Sequence, residues 1–412
     1  MTNPSLWHNR NFRALFAAAA ATNLGDGVMA LAVPWLATLL TQDPFLIGLV
    51  AAARSLPWLL FALPAGVITD RHDHRRLLIG ADALRVALSL GLLGLALTAA
   101  PGTGPVLAMA GLAFVLGSAE VVRDNTAQTF LPSVVDQRHL EQANGALWST
   151  EQLAGQFIGP PLAGFLIGLS VALPFGLHAG LLALGIGLTL TMAVPRREVT
   201  AGPVRMWAAL REGMGWLWRH VMLRRLALIL GGFNFLGYGL AAILVLYGQR
   251  VLGLDAVGYG GLLTLAACGG LTASLIGPRI LRHIRPATAI LTGMCLFTAT
   301  AAVMALRAPL PIVAAMMVLD GFGGMMWNIA QVSYRQRHIP PALLGRVNAA
   351  FRFLGTGPAA FGAFAFGALV GWGEGVAQPG VEAGSAVLLP YAVAAGAAAM
   401  LTAYAALRLR LD

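Results

Sequence analysis

The segment Gly66-Val67-Ile68-Thr69-Asp70-Arg71-His72-Asp73-His74-Arg75-Arg76 decides how this chain reads. It is dense in ionisable side chains, yet it lies between two apolar runs, 45–67 and 77–99. Each run reaches the roughly 20 residues that a helix needs to cross a bilayer. The alternation continues along the whole chain. Arginine gathers in seven segments beside hydrophobic runs: Arg10/Arg13, Arg71/Arg75/Arg76, Arg123/Arg138, Arg196–Arg225, Arg279/Arg282/Arg285, Arg335/Arg337/Arg346 and Arg408/Arg410. The connections between those segments hold Arg250 and Arg307, and Arg54, Arg85 and Arg352 sit inside apolar stretches. Loops rich in Lys and Arg stay in the cytoplasm. The alternation therefore predicts a many-pass membrane protein with both termini inside.

Twelve spans follow: 12–38, 45–67, 77–99, 105–124, 144–168, 172–194, 226–248, 256–277, 287–306, 309–333, 348–372 and 386–407. The expected outer turns are short and nearly free of basic charge, and the longest, about 373–385, carries Glu374 and Glu382 without Arg. The N-terminal Arg10 and Arg13 precede an Ala-rich run, but that run continues past Asp26 to Leu40. It is too long for a signal-peptide core, and is read as an uncleaved first span.

Composition excludes several functions. The chain is 58% hydrophobic and 11% charged, against about a quarter charged in a soluble domain. The formal charge of +10 sits in short loops beside apolar spans, where topology and anionic headgroups account for it. A nucleic-acid role is excluded because no basic patch stands apart from the spans. All basic side chains other than His are Arg, so a phosphate-loop Lys and a Schiff-base Lys are both impossible. Cys268 and Cys295 lie in apolar runs and predict neither a disulfide framework nor a metal site. No nucleophile–base or metal constellation is visible, so an enzyme is not expected, nor any cofactor.

The halves echo each other. Asn125-Thr-Ala-Gln128 matches Asn328-Ile-Ala-Gln331, Ala143-Asn144 matches Val347-Asn348, and Gly159-Pro160 matches Gly357-Pro358. Repeated six-span halves mark transporters that work by alternating access around a midplane site. The predicted domains are a six-helix bundle over 1–198, a cytoplasmic linker over 199–225 and a second bundle over 226–412. The mix of Trp, Leu and Arg in Trp207–His220 suits an amphipathic helix that is both tether and interfacial anchor.

The segment at 66–76 resembles the inner-loop signature of the major facilitator superfamily, Gly-x-x-x-Asp-Arg-x-Gly/Asp-Arg-Arg, with His74 where that family usually has Arg. The resemblance implies an inner gate built on Gly66, Asp70, Arg71, Arg75 and Arg76. Gly66 would permit close helix approach, and Asp124 is the candidate partner for Arg75. Gly155-Gln-Phe-Ile-Gly159-Pro160-Pro161-Leu-Ala-Gly164 is similar to a motif found mainly in exporters of the superfamily, with Ala163 replacing one glycine. Gly155 and Gly159 would give a smooth packing face and Pro160 would bend the helix. Asn23-Leu-Gly-Asp26, Leu131–Asn144 and Arg335–Asn348 resemble the drug- and siderophore-exporter branch, related to macrolide efflux and enterobactin export.

An ionisable side chain near the bilayer centre costs roughly 2.5–3.5 kcal/mol on insertion scales and faces a cavity or a partner. Asp26 and Arg54 lie mid-span and are expected to pair or to serve the cavity. The resemblance implies a central cavity lined by spans one, four, seven and ten, which places Asp26, Glu120, Asp320 and the neutral Asn234 toward it; Glu120 and Glu151 lie nearer the inner ends of spans four and five. Proton coupling through one of these carboxylates is expected, Asp26 first, unless a fixed partner holds it charged. Trp35, Trp58, Phe233, Phe235, Tyr238, Met325, Met326 and Trp327 lie at depths where an apolar wall would be. The sequence thus predicts an all-α bacterial inner-membrane transporter, a monomer. It would export a small amphipathic compound (drug, siderophore or metabolite) against protons, with the proton gradient as energy source and membrane lipids as surroundings. An importer or lysolipid flippase of the same fold is the alternative, and a membrane sensor or scaffold comes third.

Overall fold

The computed structural model describes residues 6–193, 206–340, 343–376 and 385–409, excluding the side chains of 62, 63, 70, 141, 206–209, 344 and 345. Among the described residues all regular structure is helical. A chain in lipid must pair every backbone polar group within itself, and a helix does so segment by segment. The helices are α1 (Arg10–Leu40), α2 (Pro44–Arg71), α3 (His74–Thr98), α4 (Thr103–Val134), α5 (Leu140–Thr150), a π-helical segment (Glu151–Ile158), α6 (Gly159–Leu169) and α7 (Leu173–Leu190). They continue with α8 (Met206–Arg219), α9 (Val221–Arg250), α10 (Ala256–Ile280), α11 (Pro286–Ala305) and α12 (Leu310–His338). The last three are α13 (Leu344–Thr356), α14 (Pro358–Val376) and α15 (Ser385–Arg408).

Twelve stretches among the described residues are long and apolar enough to cross a membrane. They follow the twelve runs read from the sequence, with shifted ends. The fifth, Gln142–Leu169, is built from α5, the π segment and α6, and the eleventh, Arg346–Val376, from α13 and α14. Local chemistry fixes several ends. The Asp73 carboxylate accepts from the Arg76 amide at 2.9 Å and caps α3, and Asp255 caps α10 by accepting from the Gly258 amide at 2.8 Å.

The chain forms two compact units. The first comprises Met1–Leu40 and Ala53–Val204, the second Thr41–Ala52 and Arg205–Asp412. In the first, α7 packs against both α1 and α3, and α4 lies on α3. The fifth span lies against α1 so closely that their backbones touch. A Cβ on Gly159 would come within 2.6 Å of the Gly27 backbone, and one on Gly27 would collide with the Gly155 carbonyl. Small residues at this spacing allow that approach. An apolar cluster that includes Phe12, Leu15, Leu78, Phe130 and Val134 gathers where α1 begins and α4 ends.

In the second unit α12 packs against α10 and α11, while α9 packs against α14 and α15. The first residues of α2 belong here: Gly48 meets the Gly367 backbone, and the Phe45 ring stands edge-on to Phe364 at 5.1 Å. The segment read as an amphipathic linker is helical from Met206, and its residues 199–205 lie outside the described residues. α8 packs along α13, with the Gly213 backbone against the Arg346 carbonyl, and Arg346 Nη1 donates to Glu212 Oε2 at 2.7 Å.

Candidate functional site

Burying a charge in an apolar interior is unfavourable unless partners surround it. The first unit buries several charges together. Arg85 of α3 is wholly inaccessible, at 0% exposure. Its Nη1 donates to Asp82 Oδ1 at 3.0 Å, one turn back on the same helix, and its Nη2 donates to Asp26 Oδ1 of α1. Arg123 of α4 extends the cluster: Nη2 donates to Thr22 Oγ1 at 2.6 Å, Nη1 to Asp124 Oδ1 at 3.2 Å, and Nε stands 3.7 Å from Asp82 Oδ1. His178 of α7, also buried, places Nε2 3.4 Å from Asp26 Oδ1 and Nδ1 2.8 Å from Ser89 Oγ. Four helices therefore meet at one ionic cluster.

The expected pairing of Asp26 with Arg54 is corrected: Asp26 pairs with Arg85. Because α7 packs on both α1 and α3, Arg85, Asp26 and His178 converge. Arg54 lies on α2, whose backbone carbonyl at this position faces Gly117 of α4. No hydrogen bond or ion pair of the Arg54 side chain occurs among the described residues.

A cavity of about 850 Å³ opens beside the cluster, wholly within the first unit. Asp26, Asp82, Glu120, Arg123, Asp124 and Glu151 supply its charged wall; Asn23, Gln128, Asn144, Gln156 and Trp148 add polar and aromatic surface. Five carboxylates and one guanidinium thus line it. Arg85 and Arg123 engage three of the carboxylates. Glu120 and Glu151 make no hydrogen bond or ion pair among the described residues, and Glu151 is exposed to the cavity.

In the second unit Asp320 is half-buried on α12 with no hydrogen-bond or ion-pair partner among the described residues. Asn234 of α9 donates from Nδ2 to the Gly355 carbonyl at 2.7 Å, a helix-joining bond. Among the aromatic and Met candidates, Phe233 packs edge-on to Phe297 and Trp327 at 5.3 and 5.0 Å, and Met326 and Trp327 are buried. These side chains fill the core. The aromatic on the cavity wall is Trp148, which the sequence reading did not select.

The segment at 66–76 also differs in detail from the expectation. Nothing lies within 4 Å of a Cβ built on Gly66, so the described structure makes no close approach there. Arg75 donates from Nε to the Thr189 carbonyl at 3.2 Å and from Nη2 to the Leu190 carbonyl. A guanidinium at the carbonyl end of α7 complements the helix dipole, and Asp124 is engaged by Arg123 instead. His74 is buried with its ring edge-on to Phe130 at 6.1 Å. Arg71 and Arg76 are exposed. The Asp70 side chain lies outside the described residues.

In the fifth span Gly159, Pro160 and Gly164 are buried. The helix just before Pro160 is π-helical, and the Gly159 amide donates to the carbonyl of Ala154, five residues back. Proline lacks an amide hydrogen and its ring crowds the carbonyl four residues earlier, and a widened turn relieves that crowding. The distortion is a π segment where the sequence predicted a bend.

The sequence reading placed Arg85 inside an apolar stretch without a role and did not select Asp82 or His178. Asp82 and Arg85, three residues apart within run 77–99, carried a readable signal: two opposite charges on one face of a span. His178 is a single His in an apolar run, and only the packing of α7 gives it a partner.

A family model of the major facilitator superfamily matches residues 15–363. The chain belongs to the major facilitator superfamily. It is a multi-pass transporter of that family. It is 28% identical over 351 residues to the multidrug efflux pump Tap of Mycobacterium tuberculosis, covering 82% of this chain and 81% of that one. It is 25% identical over 349 residues to the enterobactin exporter EntS of Salmonella typhi, covering 82% and 80%. Its fold matches a variant of the nucleoside transporter NupG with a TM-score of 0.77 at 12% identity, covering 97% of this chain and all of that one. A bacterial homologue of the iron transporter ferroportin gives 0.71 at 16% identity, covering 98% and 99%.

Proposed function

We propose that this transporter exports a small amphipathic compound (drug, siderophore or metabolite) in exchange for protons, across a bacterial inner membrane with both termini cytoplasmic. The observation that carries the proposal is a cavity large enough for such a compound, with the free carboxylate of Glu120 on its wall beside a buried ionic cluster. The relationship to Tap and EntS supports export. Glu120 is the proton-coupling carboxylate in this reading. It faces the cavity without a fixed cation, so it can exchange a proton for a substrate contact. Asp26, held by Arg85, organises the cluster. Asp320 is a second, separate carboxylate with the same freedom. Alternating access would proceed by movement of the 1–198 bundle against the 226–412 bundle, with the 66–76 segment and the glycine contacts of span five as its structural supports.

The importer or lysolipid-flippase alternative calls for a basic wall to hold an anionic headgroup. Here carboxylates outnumber guanidiniums five to one on the wall. The test uses inside-out vesicles energised to be acidic inside, with candidate drugs and siderophores added singly. Substrate-triggered loss of the pH gradient is the expected result. A gradient unmoved by every compound, with the protein confirmed in the membrane, would refute proton-coupled export of these classes.

A further inference from the structure

We infer that the cavity of the first unit takes an organic cation, and that Trp148 and Glu151 of the fifth span form the corner that holds its charged centre. This substrate class rests on the transport reading above and narrows it to one sign of charge. Trp148 and Glu151 stand three residues apart, across the junction of α5 with the π segment, so their side chains leave neighbouring positions on one helix face. Both are exposed and both line the cavity, Trp148 at 44%. Neither side chain makes a hydrogen bond, ring contact or ion pair among the described residues. The backbone beneath them is fixed. Thr150 accepts from Asn23 Nδ2 of α1 at 2.7 Å, and a Cβ on Gly155 would come within 3.3 Å of the Asn23 carbonyl oxygen. A site that is already in place loses little freedom when a ligand arrives.

The two side chains have complementary chemistry. The face of an indole attracts a cation within about 6 Å of the ring centre, and more strongly where water is excluded. A carboxylate supplies the opposite charge. Folding leaves both without a partner: a large ring is kept off the core, and a charge is kept away from any guanidinium. The charges that reach Glu151 are those of Asp124 and Asp26, both carboxylates. An arriving cation therefore meets a negative field with no fixed counter-ion.

The whole charge inventory has the same sign. Arg85 engages Asp26 and Asp82, and Arg123 serves Asp82 and Asp124. The charge of Arg54 reaches Glu120 from α2 without an ion pair. With all three guanidiniums counted, the five carboxylates of the wall still outnumber them. A proton on Glu120 leaves four against three, and His178, buried beside Asp26, would need a second proton before the charges balanced. An anion of the same size would find Arg123 as the one guanidinium on the wall, already engaged by Thr22, Asp82 and Asp124. Two roles are thereby separated: span four carries the proton at Glu120, and span five receives the substrate charge at Glu151.

The test is equilibrium dialysis of the full chain in lipid nanodiscs against tetraphenylphosphonium and tetraphenylborate, two ions of like shape and opposite charge, each corrected with protein-free nanodiscs. Saturable binding of tetraphenylphosphonium that tetraphenylborate does not displace is the expected result. Glu151→Gln should weaken it about tenfold, and Trp148→Leu about threefold. Glu374→Gln, which removes a carboxylate of the second unit, should bind like wild type. Melting curves accompany each variant, and the wild-type comparison of the two ions stands even where a variant fails to fold. Equal binding of the two ions, no saturable tetraphenylphosphonium binding, or binding unchanged in folded Glu151→Gln or Trp148→Leu overturns the inference. No proton gradient is used. Cation binding without proton-coupled export would overturn the functional reading and leave the site standing, and proton-coupled export of an anion would do the reverse.

Discussion

Asn23 and Asn234 occupy comparable places in the two units. Asn23 of α1 donates to Thr150 Oγ1 in the fifth span at 2.7 Å, and Asn234 of α9 donates to the Gly355 carbonyl in the eleventh at 2.7 Å. Glycine contacts follow in each. Gly27 meets Gly155 and Gly159 in the first unit, and Gly362 meets the Phe235 backbone in the second. Three residues beyond Asn23 stands Asp26, tied to Arg85 and His178; three beyond Asn234 stands Gly237, beside Phe297. The helix scaffold is repeated and the chemistry inside it is not. Close packing of spans depends on small residues and a few side-chain hydrogen bonds between helices, which both units retain. The ionic cluster belongs to the first unit, whereas the second fills its interior with Phe233, Phe297, Trp327, Tyr247 and Tyr391.

That contrast can be broken by substitution. Arg85→Leu takes the guanidinium from Asp26 and leaves Asp82 only the 3.7 Å contact with Arg123, and breaking a buried charge pair costs about 3–5 kcal/mol. The variant should show the largest fall in thermal stability in detergent, or fail to accumulate. A wild-type melting curve would show that the cluster does not support the first unit. Gly27→Leu and Gly362→Leu test the shared scaffold. Both force side chains into backbone contacts, and overpacking of this kind costs about 1–3 kcal/mol or more, so both should melt earlier by similar amounts. Gly66→Leu, with open space around it, should melt like wild type.

Smaller effects sharpen the comparison further. Asn234→Ala removes one hydrogen bond to the Gly355 carbonyl, a loss of about 1 kcal/mol, measurable as a modest shift in melting temperature. The Arg250–Glu374 pair is partly exposed at 19% and 39%. Glu374→Ala, which leaves the Arg250 donation to the Gln42 carbonyl in place, should lower stability by about 0.2–1 kcal/mol, the smallest change of the series, and less at high salt.

The spans were legible because length, apolarity and arginine placement are local properties that the bilayer reads directly. Asp26, Glu120, Asp320 and Asn234 were legible as polar residues inside apolar runs, since such residues stand out against their neighbours. Their partners were not, because partners depend on which faces meet. Arg54 and Arg85 both stand mid-run; Asp82 one turn before Arg85 is the local difference between them, and the packing of α7 on α1 and α3 is what brings Asp26 to Arg85. Trp148 reached the cavity wall and Phe233 the core for the same reason. The π segment before Pro160 was half legible: proline announced a distortion but not its form.

The most direct measurement is substrate-driven proton flux in inside-out vesicles, with wild type, Glu120→Gln and Asp320→Asn side by side. The account predicts substrate-triggered loss of the pH gradient in wild type. At least a tenfold reduction, about 1.4 kcal/mol, is expected in Glu120→Gln with melting behaviour unchanged, and a smaller effect in Asp320→Asn. Wild-type flux in Glu120→Gln, or flux abolished by Asp320→Asn alone, would contradict the placement of proton coupling in the first unit.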